Sequence, residues 1–136
     1  AADDHTLYFY ARTAKPITRR AARDWMLLFI DLDRDPATGW QGYDFVVNRL
    51  YENNETSVLE TAGAGWNWKA VGQVTYRVKA DEMELAIPMN ALGIKTSAGD
   101  VSFDFKWADH FRSDDDVSAF MLNGDTAPNN RFNYRY

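Results

Sequence analysis

Apolar residues recur at every second position in several short segments of this chain, and this spacing strongly limits the folds available to it. In segment 6–12, Leu7, Phe9 and Ala11 alternate with polar or amphipathic side chains, and segment 73–79 repeats the pattern. Because side chains of a β-strand point alternately to opposite faces, a period of two predicts strands with one buried and one solvated face. The chain is therefore expected to consist mainly of β-strands.

Turn residues separate these segments, and helix signals are confined to 18–24 and to one turn that Pro88 begins and Gly93 ends. Segment 25–33 starts apolar on both faces, as expected of a central strand covered on two sides. Many short strands with little helix predict an all-β fold, a two-sheet antiparallel β-sandwich of jelly-roll type. The expected strands are 6–12, 25–33, 44–50, 56–62, 73–79, 82–88, 101–109 and 131–136, with 117–122 as a possible ninth.

Length and charge restrict the class of protein further. A chain of 136 residues suits one domain over 1–136 and is large enough to bury about two-thirds of its unfolded surface. Its net charge of -5 argues against a nucleic-acid partner, which requires a basic surface. The longest apolar run, 25–30, is far below the roughly 20 residues of a membrane helix, so no membrane partner is expected. The chain has no cysteine, which excludes disulfides and thiolate metal sites.

The stretch "DLDRDPATGW", 31–40, carries the clearest chemical signal. Asp31 and Asp33 share a face at the end of an extended strand, Asp35 follows at the bend, and Asp44 returns a few residues later. A set of oxygen-only ligands suits a hard cation, calcium before magnesium. The alternative is a solvated turn, because Asp, Pro, Thr and Gly are common turn residues.

Aromatic residues make up 15% of the chain, which is more than its core requires, and indicate a recognition surface. A sugar site combines an exposed ring with polar side chains, and "GAGWNWKAVG" offers Trp66 and Trp68 on one face if it is extended. The same two tryptophans could instead cap the core. Arginines would favour an anionic polysaccharide rather than a neutral one. The candidate ligand-binding residues are Trp40, Tyr43, Arg49, Trp66, Trp68 and Arg112.

The segments "FIDLDRDPATGWQGYDFVVNR", "ELAIPMNALG" and "FDFKWADH" together resemble the family 9 carbohydrate-binding modules and the wider DOMON-like sandwich group. The similarity covers about residues 7 to 112. It implies a non-catalytic, calcium-containing β-sandwich that binds oligo- or polysaccharides with aromatic rings and is usually appended to a secreted glycoside-active enzyme. The matching positions for metal ligands are Asp31, Asp33, Asp35 and Asp44.

Three function classes follow. The first is a carbohydrate-binding accessory module of a secreted or periplasmic protein, and the second is a structural sandwich that packs on a neighbouring catalytic domain and keeps calcium. The third is a DOMON-type haem or redox domain, with axial ligands drawn from Met26, Met83, Met89, Met121, His5 and His110. A further acidic run, Asp114 to Asp116, would hold a second cation or form a solvated loop.

Overall fold

Nine antiparallel strands are hydrogen-bonded into one sheet in the computed structural model, which describes residues 1–20, 25–95, 101–111, 116–122 and 124–136. The order is β1-β6-β5-β4-β3-β2-β7-β8, and β9 also pairs with β7. The strands are β1 Thr6–Arg12, β2 Leu27–Asp31, β3 Phe45–Tyr51, β4 Thr56–Ala62, β5 Trp68–Lys79, β6 Glu82–Pro88, β7 Asp104–Asp109, β8 Asp125–Ala127 and β9 Tyr134–Arg135.

The predicted all-β class with little helix is confirmed, and the period of two is visible in the burial of the strands. In β1, Leu7 and Phe9 are buried whereas Tyr8 and Tyr10 are exposed. The division into two sheets is not seen, because hydrogen bonds connect all nine strands. Instead the sheet curls, so that Phe9 of β1 contacts Phe105 of β7 from the opposite end of the strand order, with ring centroids 5.3 Å apart.

The core has two clusters, one on each face of β2. Leu28 and Ile30 point into the larger cluster inside the curl, and Leu27 and Phe29 point into a smaller one on the other face. Every residue of β2 is buried, as the sequence predicts for a central strand. A loop that contains Trp40 covers the second face. Both clusters therefore meet at β2, the strand that ends at the predicted metal site.

Segment 117–122 is not a strand, contrary to expectation. Its last four residues form a short helix, α1, Ala119–Leu122. Asp116 precedes it, and its carboxylate accepts hydrogen bonds from the Ser118 backbone N–H and hydroxyl, a local bonding pattern that favours a helix start. The expected turn after Pro88 is confirmed as a 3-10 helix, Met89–Leu92, with Gly93 as its C-terminal cap. Of the predicted helical segment 18–24, residues 21–24 lie outside the described residues.

No helix among the described residues has the length and apolar character needed to cross a membrane.

The connection from β2 to β3 positions the acidic residues. These strands are antiparallel neighbours, so the end of one lies beside the start of the next. Asp31 is the last residue of β2, Asp44 directly precedes β3, and the Asp44 N–H donates to the Ile30 carbonyl at 2.9 Å.

Candidate functional site

Three carboxylates converge at the rim of the sheet where β2 ends and β3 begins. Asp31, Asp33 and Asp44 each offer one oxygen, and these oxygens all lie within 4.8 Å of one another. Within the described part of the chain, no basic side chain forms an ion pair with any of the three. Close like charges repel one another, so this cluster favours the uptake of a proton or a cation.

Backbone N–H groups hold the three carboxylates in place. The Arg34 N–H donates to Asp31 Oδ1 at 2.6 Å, and the Leu32 N–H donates to Asp44 Oδ2 at 2.8 Å. The Asp35 N–H donates to Asp33 Oδ1 at 2.9 Å. Each carboxylate thus keeps a second oxygen that accepts no backbone hydrogen bond among those found. These second oxygens are available as metal ligands.

The Thr38 hydroxyl adds a further oxygen to the cluster. Its Oγ1 lies 2.9 Å from the Asp35 carbonyl oxygen, 3.1 Å from both Asp33 carboxylate oxygens and 3.5 Å from Asp44 Oδ1. A hydroxyl carries one hydrogen and can satisfy only part of these acceptors. The cluster therefore contains more hydrogen-bond acceptors than donors, which is typical of a site for a hard cation. Sequence reasoning missed Thr38, although it lies within the same motif.

The electrostatics of the cluster are consistent with crowded negative charge. Burial raises the pKa of Asp31 to about 6, with smaller contributions from Asp44, Asp33 and Asp104, while the Arg34 N–H acts in the opposite direction. The pKa of Asp44 is also raised, first by burial. At pH 7 the Asp31 carboxylate is still mostly ionised. A divalent cation would offset both the cost of burying these charges and the repulsion between them.

Asp35, the fourth predicted ligand, does not join the carboxylate group. Its Oδ1 accepts the Ala37 N–H at 2.9 Å, so the side chain closes the turn at Pro36. Only its backbone carbonyl faces the cluster, through Thr38. β2 ends at Asp31, residues 32 and 33 form a bend and Arg34 has φ +59°, so the alternation that was predicted to run to Asp33 ends before Asp35.

The four aromatic residues predicted for sugar stacking come together, but around Phe29 in the second core cluster. Trp40 is 1% exposed, Tyr43 5% and Trp68 8%, while Trp66 is partly buried. The ring centroids of Trp40 and Trp66 lie 4.5 Å apart in an edge contact. Stacking on a sugar needs a free ring face, and such burial does not leave one on Trp40, Tyr43 or Trp68.

The two arginines predicted for ligand contact have different outcomes. Arg49 is bonded to Glu60, with Nε–Oε2 at 3.0 Å and Nη2–Oε1 at 2.8 Å, and the Glu60 side chain is 1% exposed. This bidentate pair occupies the Arg49 guanidinium. Arg112 lies outside the described residues, as do Asp114 and Asp115 of the second acidic run.

The residues named for a haem site lie in different surroundings. Met26 and Met83 are buried in the larger core cluster, whereas Met121 is 54% exposed. The His110 side chain is exposed and contacts Asp109, with Nδ1–Oδ2 at 3.0 Å. His5 and Met89 both line one surface depression.

Four exposed tyrosines form a surface feature that the sequence analysis did not select. The exposed fractions are 44% for Tyr8, 53% for Tyr10, 46% for Tyr134 and 39% for Tyr136. The sequence did indicate that Tyr8 and Tyr10 are exposed, because the alternation in β1 places both on its solvated face. Aromatic rings with this exposure are available for stacking.

Comparisons with protein-family models, curated proteins and solved structures found no match for this chain. Two features of its surface can be interpreted chemically, the acidic cluster at the end of β2 and the four exposed tyrosines. The first has the ligand chemistry of a cation site, and the second has that of a sugar-stacking surface.

Proposed function

We propose that the chain is a non-catalytic carbohydrate-binding domain stabilised by calcium. The observation that carries the proposal is the convergence of Asp31, Asp33 and Asp44, at the position where resemblance to the family 9 modules implies calcium. Three carboxylates, the Thr38 hydroxyl and the Asp35 carbonyl form a donor set made only of oxygen. Such a set fits calcium better than the softer transition metals.

Calcium in this position would be structural rather than part of the sugar site. Its ligands come from the end of β2, the connecting loop and the residue before β3, so binding ties that loop to the sheet. An ion that binds only the folded chain and is present at 100 times its dissociation constant adds about 2.7 kcal/mol to the free energy of unfolding. With an unfolding entropy of about 2.1 cal/mol/K per residue, this raises the melting temperature by roughly 9 °C.

The sugar partner is proposed from the resemblance and from the exposed tyrosines. A sugar ring presents an apolar C–H face that packs on an aromatic ring, while its hydroxyls need polar neighbours. As an accessory module, the domain would deliver a neighbouring catalytic domain to an oligo- or polysaccharide. In that role it would act outside the cytoplasm, in a secreted or periplasmic protein.

Melting curves in calcium and in chelator test the metal part of the proposal. We expect calcium to raise the melting temperature of the wild type by roughly 9 °C and to have little effect on Asp33→Asn. Asp35→Asn is the matched control, because its carboxylate lies outside the cluster and the amide oxygen still accepts the Ala37 N–H. Identical wild-type curves in calcium and in chelator would contradict the metal proposal.

A titration with neutral and anionic oligosaccharides, in calcium and again in chelator, tests the sugar part. Binding of at least one oligosaccharide by the calcium-loaded domain is the expected result. A clear calcium effect on melting without binding of any sugar would instead support the structural alternative, a domain that packs on a catalytic neighbour.

A further inference from the structure

The two ends of the curled sheet face each other across an open groove. β1 is the strand at one end, and β8 and β9 pair with β7 at the other. Two adjoining cavities of about 540 and 640 Å³ lie between these edges, and both are lined by Tyr10 and Phe105. We call these two cavities together the seam groove. It exists because the curl brings the ends together without hydrogen bonds between β1 and β8 or β9.

The seam groove is walled by the four exposed tyrosines. Tyr8 and Tyr10 come from β1, and Tyr134 and Tyr136 come from the C-terminal end of the chain. The Tyr136 ring stacks on Phe103 with centroids 5.0 Å apart and an interplanar angle of 16°. The Tyr134 ring lies 5.5 Å from that of Phe105. The rings on the C-terminal side are thus backed by core residues and keep part of their surface free.

Both tyrosines of β1 are held in fixed orientations. The Tyr10 hydroxyl donates to Glu82 Oε1 at 2.8 Å, and the Tyr8 hydroxyl donates to Asp3 Oδ2 at 2.8 Å. A ring already fixed at its far end loses little conformational freedom when a ligand packs on it. The groove therefore has pre-organised aromatic walls.

The charges along the groove disfavour an anionic ligand. Glu84, Asp109 and Asp125 line it. The basic groups on its described lining are Arg12, whose Nε is bonded to Asp81 at 2.9 Å, and the terminal amino group of Ala1, which donates to the Tyr8 carbonyl at 3.1 Å. An acidic polysaccharide would meet like charge here. The hydroxyls of a neutral sugar can donate hydrogen bonds to these carboxylates. Aromatic walls with an acidic rim are therefore complementary to a neutral glycan.

We infer that a neutral oligosaccharide binds along the seam groove, with sugar rings packed on Tyr10 from one side and on Tyr134 from the other. Tyr10 lines both cavities, so a ligand that spans them crosses its ring. The inference rests on the proposed function and assigns its ligand site and ligand class. It places the site away from the buried tryptophans of the second core cluster.

Calorimetric titration of the calcium-loaded chain with cellohexaose, xylohexaose, mannohexaose and hexagalacturonate tests the assignment. We expect one of the three neutral hexasaccharides to bind and hexagalacturonate not to bind. Tyr10→Ala and Tyr134→Ala should each weaken that binding about tenfold or more, because each removes a central contact ring. Tyr10→Phe keeps the ring and should bind within about threefold of the wild type.

Phe132→Ala is the matched control, because this ring is 71% exposed and does not line either cavity. It should bind like the wild type, and melting curves should show that all variants are folded. Wild-type affinity in both folded Tyr→Ala variants would overturn the groove assignment while leaving the proposed function intact. The absence of binding to any oligosaccharide by the wild type would overturn both. Preferential binding of hexagalacturonate would overturn the neutral ligand class.

Discussion

Replacing Arg49 by methionine should destabilise the fold, because it leaves a buried carboxylate without its partner. Glu60 lies in β4 with its side chain 1% exposed, and both of its oxygens accept hydrogen bonds from the Arg49 guanidinium at 2.8 and 3.0 Å. The Arg49 side chain is 20% exposed, so one side of the pair reaches solvent. These contacts give Arg49 a role in the stability of the fold, in contrast to the ligand-binding role that the sequence predicted.

The size of the effect follows from this burial. Removing one partner of a buried ion pair costs about 3 to 5 kcal/mol. Partial exposure of Arg49 lets water approach the carboxylate after the substitution, which places the expected loss at the lower end, about 3 kcal/mol. For 136 residues at about 2.1 cal/mol/K each, that loss lowers the melting temperature by about 10 °C.

Thermal and urea unfolding of Arg49→Met, Glu60→Leu and the double variant measure the coupling between the two residues. The double variant should recover most of the loss in Arg49→Met, because no unpaired charge remains buried. Arg12→Met is the control, since the Arg12–Asp81 pair is exposed at the arginine and solvent weakens the interaction, so its loss should change the melting temperature much less. If Arg49→Met melts like Arg12→Met, the structural role assigned to this pair is wrong.

Two further predictions concern a buried ammonium and a strained turn. Burial lowers the pKa of Lys106 from 10.5 to about 8, so between these values the unfolded chain holds a proton that the folded chain has lost. The free energy of unfolding should therefore rise by up to about 2 kcal/mol from pH 8 to about 9.5. Urea titrations of Lys106→Met at the same pH values should lack this rise. Parallel pH profiles for the wild type and the variant would contradict the lowered pKa of Lys106. Gly39 has φ +57°, and an added Cβ would lie 2.1 Å from the Tyr43 carbonyl oxygen. Gly39→Ala should thus cost at least about 1 kcal/mol more than Gly93→Ala, where φ is also positive but nothing lies within 4 Å, and equal unfolding midpoints would count against this steric argument.

The local alternation of apolar and polar residues was sufficient to predict most of the strands. β1, β4 and β6 begin and end at the residues that the alternation predicts. The strand prediction for segment 117–122 was wrong because its apolar residues form a single short helical turn, and a run of that length has no clear period.

Most of the acidic cluster could also be predicted from local sequence. Asp31 and Asp33 lie two positions apart, and Asp44 returns through an antiparallel connection, whereas the Asp35 carboxylate accepts the Ala37 N–H and lies outside the group.

By itself, the sequence determined the β-class, because the alternation in each strand is local, and it showed the apolar run of β2 and the acidic residues in the connection that follows it. Only the tertiary structure decided which aromatic rings remain exposed. Trp40 and Trp68 are covered because α1 and the loop before β3 pack on the outer face of β2, while Tyr10 and Tyr134 stay accessible because the curled sheet does not close. Exposure depends on what packs against a side chain from elsewhere in the fold, and spacing along the chain carries no record of it.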